Sequence, residues 1–365
     1  MKTKVLVGST AFMKALGERA QSAQDLLYVQ AMTFEGDAAG EELIDLMIDS
    51  PARDKRLIVD SFSKAVVSDH FVFGPKYLKD ASFRSEVKNT YLLIHKAEAN
   101  GVQVKFVNPT GPLMLRYPLR NHKKMMVVDG LYSYLGGINF SDHNFAWHDM
   151  MIELEGQSIG EAIQADFLST WNGANQSIKV DLESQQLYFF NGIKSKDLYE
   201  NFFDEVRGAQ SKITVISPYV SEPLLPVLKE VAQSGIAVEI ISPKENNKGL
   251  FHDYLLSQSG KRFFTLLHHP GMFHLKAMLI DDSKLVFGSS NYDLVSYHFE
   301  QEVVMVSEDE HLVKSFRSQV LNPMMSASVE FTTSTTGSTK AKITMSLLKG
   351  FCELASRSLL RPKNR

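Results

Sequence analysis

"NHKKMMVVDG" (121–130) places a histidine and two lysines ahead of an apolar run that a buried strand would want. MMVV suits a strand covered on both faces of a sheet, and residues two apart in such a strand point to the same side. His122 and Lys124 are therefore expected to project together, with Lys123 facing the other way. The arrangement returns in "FHLKAMLIDD" (273–282), where His274, Lys276 and Asp281 repeat the offsets of His122, Lys124 and Asp129, 152 residues further on. At ordinary residue usage one HxKxxxxD match arises by chance with a probability on the order of 10⁻⁴ per starting position. A single copy would be weak; two are not.

The likeness extends on both sides. "GGIN" (136–139) parallels "GSSN" (288–291), and Asn139 and Asn291 each lie 17 residues after their histidine. Asp149 follows His122 by 27 residues and Glu302 follows His274 by 28. Upstream, "QVKFVNP" (103–109) and "AVEIISP" (237–243) each read as a strand ending in proline, after an amphipathic helical stretch and a glycine. The chain reads as a duplicated α/β unit. The expected architecture is two α/β/α sandwich halves, each with a central mixed sheet, packed around a pseudo-two-fold axis with one shared active site. The expected boundaries are 1–180 and 181–322 for the halves, 323–339 for a Ser/Thr-rich linker and 340–365 for a basic amphipathic tail.

Composition narrows the class. A chain of 365 residues with 44% hydrophobic and 22% charged residues is ordinary for a soluble globular protein and long enough for two cores. No stretch approaches the length of a membrane span, and the amino end reads as a strand followed by a helix. The single cysteine, Cys352, leaves no disulfide framework and fits a reducing compartment, so a cytoplasmic location at the membrane periphery is expected. Residues 340–365 hold seven cations against one carboxylate, while the whole chain is −3, so the body is acidic and a poor match for nucleic acid. Ile343, Leu347, Phe351 and Leu354 recur at helical spacing among those cations. Such a tail reads either as a helix on an anionic membrane surface or as a terminal helix packed on the body.

If the halves converge, two histidines, two lysines and two asparagines face one pocket. That set of donors and positive charge suits a tetrahedral oxyanion such as a phosphodiester. One imidazole would attack phosphorus to give a phosphohistidine, and the other would protonate the leaving alcohol and then take the acceptor's proton. Asp149 and Glu302 are placed to accept the far N–H of each ring, Asp149 serving His122. Asn139, Asn291 and Ser289 are the expected substrate contacts, beside small residues that let a ligand approach the backbone. Asp129 and Asp281 complete the motifs but stand an odd number of positions from their lysines, and are expected to brace the fold. An ammonium beside each histidine argues against a metal site, and no cofactor is expected.

These motifs resemble the phospholipase D superfamily, and within it the bacterial cardiolipin synthase and phosphatidyltransferase branch. The likeness rests on "RNHKKMMVVDG" with "GGIN", then "WHDMMIELEG" and "FLSTW", and in the second half on "FHLKAMLID", "GSSNYD" and "FEQE", across about residues 1–322. It implies two α/β halves meeting in one site, a phosphohistidine intermediate, no metal, a phospholipid substrate and activity as a monomer. By position His122 resembles the nucleophile and His274 the general acid/base, although duplication makes the two interchangeable. The reaction implied is phosphatidyl transfer or hydrolysis, with a metal-independent nuclease of the same superfamily as the alternative. Two positions depart from the branch: Val295 stands where an arginine is usual and Glu300 where an asparagine is. No stretch matches the paired amino-terminal spans of many bacterial members, so membrane contact is expected from the tail and from apolar loops. "GPLMLRYPL" (111–119) and "FFTLLHHPGMF" (263–273) directly precede the motif strands and are expected to border the pocket, with His268 and His269 as ordinary polar residues.

Overall fold

The chain folds as two α/β units, Met1–Gln176 and Ser177–Arg365; a computed structural model describes residues 1–259, 263–332 and 338–358. In the first unit, short apolar runs form strands β1 (Lys2–Val7), β2 (Leu26–Ala31), β3 (Asp54–Asp60), β4 (Val102–Val107), β5 (Met125–Val128), β6 (Tyr132–Gly136) and β7 (Met150–Glu155). They assemble in the order β1-β7-β6-β5-β2-β3-β4. β2, β3 and β4 run parallel, and β5 returns antiparallel to β2 with Gln30 opposite Met125.

The second unit forms β8 (Ile178–Asp181), β9 (Gln185–Asn191), β10 (Lys212–Ile216), β11 (Ala237–Pro243), β12 (Thr265–His269), β13 (Ala277–Ile280), β14 (Lys284–Gly288), β15 (Gln301–Ser307) and β16 (Val329–Glu330). Their order is β8-β9-β15-β14-β13-β10-β11-β12-β16. Without the flanking β8 and β16, this repeats the first sheet strand for strand, with β13 antiparallel to β10 as β5 is to β2. The repeat in sequence is a repeat in topology.

Strand alternation sends Leu27, Val29, Leu57, Val59, Met126 and Val128 to one face, against helices Ser9–Ser22, Ala38–Asp49 and Ala81–Ala99. Asp37 and Asp80 cap the last two of these helices, accepting N–H donation from Gly40 at 3.1 Å and Phe83 at 3.0 Å. The opposite face packs on helix Gln157–Trp171, where Tyr28 stacks on Phe167 at 4.6 Å. Lys123 points into that helix: its ammonium donates to both oxygens of Asp166 at 2.7 Å, with neither side chain exposed.

Each motif ends in an aspartate in left-handed backbone, Asp129 at φ 51° and Asp281 at φ 52°. The Asp129 carboxylate receives N–H donation from Gln24, Asp25 and Leu26, where β2 begins. Asp281 receives the same from Gln210, Ser211 and Lys212, where β10 begins. Partial burial would raise the Asp281 carboxyl, but these amide donors outweigh it and hold it below its ordinary range.

Three expectations need correction. β5 starts at Met125 and β13 at Ala277, so the histidines and lysines occupy extended lead-ins rather than strands proper. Residues 265–269 are a strand paired in parallel with β11, because Leu266 and Leu267 continue the ladder, and do not form a loop. The expected linker 323–339 is structured in its first part: Asn322–Ala327 is a helix with proline in its first turn, and β16 pairs with β12. Residues 333–337 of that linker and 359–365 of the tail lie outside the described residues. The tail's helix, Thr339–Ser358, buries Ala341, Met345, Cys352 and Ala355 within its own unit and exposes Ile343, Leu347, Phe351 and Leu354.

Replacing Lys123 with Met strands the Asp166 carboxylate and is expected to cost about 3–5 kcal/mol in denaturant melts, with Lys123→Met/Asp166→Leu recovering most of it. Asp281→Asn loses part of the stability that the depressed carboxyl supplies at neutral pH. The gap between Asp281→Asn and the natural chain should narrow as pH falls from the ordinary carboxylate range through the depressed range of the folded Asp281 carboxyl, below which both side chains are neutral.

Candidate active site

In the first unit the histidine-bearing segment enters from Arg120 and is held by Asp60 at the end of β3. Asp60 Oδ1 accepts from the Arg120 guanidinium and from the Phe62 N–H, both at 2.7 Å. Its Oδ2 accepts from the Asn121 N–H at 2.6 Å and the Asn108 amide at 3.2 Å. Complete burial pushes the Asp60 carboxyl up to about 6 against the opposing pull of Arg120 and these donors. Asn121 in turn accepts from Gln30 Nε2 at 2.9 Å, tying the segment to the end of β2. His122, almost buried, is thus delivered from a backbone fixed on both sides.

The lysines are spent in matching ways. Lys124, fully buried, donates its ammonium to the carbonyl of His122 at 2.7 Å. Lys276 donates to the carbonyl of His274, and its Nζ also lies 2.6 Å from His274 Nδ1. Each ammonium therefore sits on its own histidine's backbone in a poorly solvated setting, and that of Lys276 also lies against the imidazole. His274 and Tyr219 meet edge to face with 6.2 Å between ring centres, and the Lys248 ammonium lies over that tyrosine ring, 4.3 Å from its centre.

The glycines of "GGIN" make room for a carboxylate of their own unit. A Cβ on Gly137 would lie 2.4 Å from an oxygen of Asp149, and a Cβ on Gly136 would strike the Met150 carbonyl at 2.2 Å. Asp149 also accepts from the Met150 N–H at 2.8 Å. In the second unit Gly288 packs equally closely on the Val303 carbonyl, and Ser289 takes the place of Gly137. The Ser289 hydroxyl donates to Glu302, and its oxygen accepts from the Val303 N–H at 3.0 Å. Ser289, expected to touch substrate, is thus committed to the carboxylate, and the small residues admit a side chain where a ligand was expected.

Ser296 lies between two acids, its hydroxyl 2.8 Å from Glu302 Oε1 and 2.9 Å from Glu300 Oε2, so one donor serves two carboxylates. Asp293 fixes that serine by accepting from the Val295 and Ser296 N–H groups at 3.0 and 2.8 Å. Asn139 spends its oxygen on the Thr33 N–H at 3.2 Å and directs its amide nitrogen to Asn144 at 3.4 Å. Asn291 accepts on its backbone carbonyl from Ser217 at 2.9 Å, while its buried side-chain oxygen meets no hydrogen-bond donor among the described residues. That orphan acceptor is the kind of group a bound ligand would satisfy.

Asp60 was not foreseen. "LIVD" looks like any strand end, and its partners Arg120 and Asn121 stand sixty residues away in sequence. Apart from these motifs, Glu35, Asp37 and Glu86 in the first unit each bring one carboxylate oxygen within 4.8 Å of the others, and Glu35 also faces His143 at 3.4 Å.

Cardiolipin synthases of Listeria welshimeri and Staphylococcus epidermidis are 22% and 25% identical over 84% and 85% of this chain. The chain spans about two thirds of their length, 67% and 65%. The crystal structure of phosphatidylserine synthase from Haemophilus influenzae superposes with a TM-score of 0.68 at 14% identity, covering 97% of this chain and 94% of that one. This last likeness speaks to the fold alone. The family model described as cardiolipin synthase, phospholipase D-like domain, matches residues 16–171 and 202–322, one stretch in each duplicated unit, and the chain belongs to that family.

Proposed function

We propose that the two units pool their motifs in one active site that transfers a phosphatidyl group between alcohols, or to water, by two displacements at phosphorus. The observation that carries this reading is the matched pair of lead-ins, each presenting a nearly buried histidine with a lysine ammonium on its own carbonyl. In the first displacement a nitrogen of His122 attacks phosphorus, the bond from phosphorus to the leaving alcohol breaks, and His274 supplies the proton that alcohol needs. In the second, His274 takes a proton from the incoming alcohol or water. Its oxygen then bonds to phosphorus and the phosphorus–nitrogen bond breaks, restoring both rings. Lys124, Lys276, Asn139 and Asn291 hold the phosphoryl oxygens, whose charge grows in each transition state. Asp149 and Glu302 orient the imidazoles, and Ser289 acts through Glu302. Asp129 and Asp281 are positioning residues. The relatives' names and the two intact motifs favour phospholipid over nucleic acid, as does the acidic body.

Residues 340–365 are assigned to an anionic membrane surface, with the chain working peripherally and as a monomer. No described helix is long and apolar enough to cross a membrane. The exposed stripe of Ile343, Leu347, Phe351 and Leu354 among Lys340, Lys342, Lys349 and Arg357 supports that assignment.

Incubation without divalent metal with phosphatidylglycerol vesicles, short-chain phosphatidylcholine and single-stranded DNA tests the reaction. Cardiolipin or phosphatidic acid is the expected product, and cut DNA without lipid turnover would sink the reading. His122→Ala and His274→Ala should each lower turnover by about 10³-fold or more, and the natural enzyme quenched during turnover should carry acid-labile, base-stable phosphate on histidine. Gly137→Ala pushes the Asp149 carboxylate aside and should lower kcat with the melting temperature nearly unchanged. Leu347→Ser/Phe351→Ser should weaken partitioning onto phosphatidylglycerol vesicles, measured by sedimentation; unchanged partitioning would leave the helix a packing role alone.

A further inference from the structure

The loops that follow β3 and β4 carry apolar side chains that the fold turns outward. Because β2, β3 and β4 are parallel and β5 is antiparallel to β2, residues 61–80 and 108–120 leave the sheet at the end where His122 enters. The two loops touch through Phe62 and Tyr117, 5.8 Å between ring centres.

Neither loop is a loose tether. Residues 61–80 bury Val67 and Val72 against Phe83, around the hairpin of Val66–Val67 and His70–Phe71. That inner layer leaves Phe71, Phe73 and Leu78 outside, Phe73 at 63% exposure. In the second loop Leu113 and Met114 adopt left-handed backbone, φ 50° and 57°, a conformation that leucine and methionine resist. The result is Leu113 at 93% exposure with Leu115 beside it. Strained backbone that holds a leucine in water is costly unless another phase receives the side chain.

The charges around these residues say which phase. Lys64, Lys76, Lys79 and Arg116 are exposed among them, against Asp69 and Asp80. Aromatic and leucine side chains interleaved with cations match the boundary of a bilayer bearing anionic head groups, where rings and aliphatic groups enter and ammonium groups stay with phosphate. A surface built for a soluble protein partner would not need so many cations around so few apolar anchors.

We propose that Phe71, Phe73, Leu78, Leu113 and Leu115 form a rim that inserts into the lipid interface around the entrance to His122, so that a phosphodiester reaches the histidine from the membrane without passing through water. This rests on the phospholipid reading above and adds the surface by which the first unit meets its substrate. It is separate from the terminal helix, which belongs to the second unit.

Site-directed labelling tests it on the full chain. Phe73→Cys and Leu113→Cys, each carrying an environment-sensitive dye, are mixed with vesicles of phosphatidylglycerol and phosphatidylcholine. Leu131→Cys serves as the control, being exposed in the turn at the opposite end of β5. The natural Cys352 is buried and its thiol pushed up to about 11, so it competes poorly for the label. Emission at positions 73 and 113 is expected to shift to the blue and brighten severalfold, with position 131 unchanged. No shift at 73 and 113 on vesicles that sediment the chain overturns the proposal. So does a shift that follows protein concentration without vesicles, which would make the rim an interface between copies.

Phe73→Ser/Leu113→Ser should lower vesicle partitioning about tenfold or more with an unaltered melting temperature; unaltered partitioning also overturns it. None of these readings needs turnover. Lipid turnover without insertion refutes the rim and leaves the reaction standing, whereas insertion without lipid turnover does the reverse.

Discussion

A carboxylate at the far end of each motif sets where its histidine can be. Asp129 grips three amides at the start of β2, and Asp281 grips three at the start of β10. With that grip closed, β5 has one register against β2 and the chain ahead of it must emerge past Ala31. A slip of one residue would open the amide contacts and turn every side chain of the strand to the opposite face. The aspartate therefore acts at a distance: seven residues of backbone, at about 3.3 Å each, convert an anchor at one end of the sheet into a coordinate at the other. Left-handed backbone at Asp129 and Asp281 is the local strain that the anchor holds.

Buried charge completes the frame. Three consecutive cations of the first lead-in face three different partners: Arg120 meets Asp60, Lys123 meets Asp166, and Lys124 meets the carbonyl of His122. None can swap partners without stranding a charge away from water, a penalty of several kcal/mol. Such a segment has little freedom to rearrange when substrate binds. The histidine is delivered from a preorganised frame.

Much of this was legible in the residues, because duplication supplied its own control. The offsets shared by His122, Lys124 and Asn139 with His274, Lys276 and Asn291 mark paired α/β units, and the repeated strand order agrees. What escaped notice depended on contacts remote in sequence or on backbone partners. Asp60 needs Arg120 and Asn121 to be recognised. Thr265–His269 reads as a loop because its two histidines mask a ladder that only β11 reveals. The place of His122 ahead of the strand followed from the length of β2, whose ladder with β5 stops at Gln30. Val329–Glu330 is too short for any pattern to mark it.

That short strand, with β8 at the opposite edge, separates the two otherwise matching sheets. An outermost strand offers unpaired amides and carbonyls to any other extended chain, and natural sequences blunt the invitation with charge or cover. In the first unit the last strand, β4, carries exposed Gln103 and Lys105 and guards itself. In the second unit, TLLHH has no fixed charge to repel a stranger, and two residues from beyond the helical segment return to occupy its free side. The duplicated halves thus share a catalytic scaffold but solve the problem of aggregation independently, one by chemistry and the other by a borrowed strand.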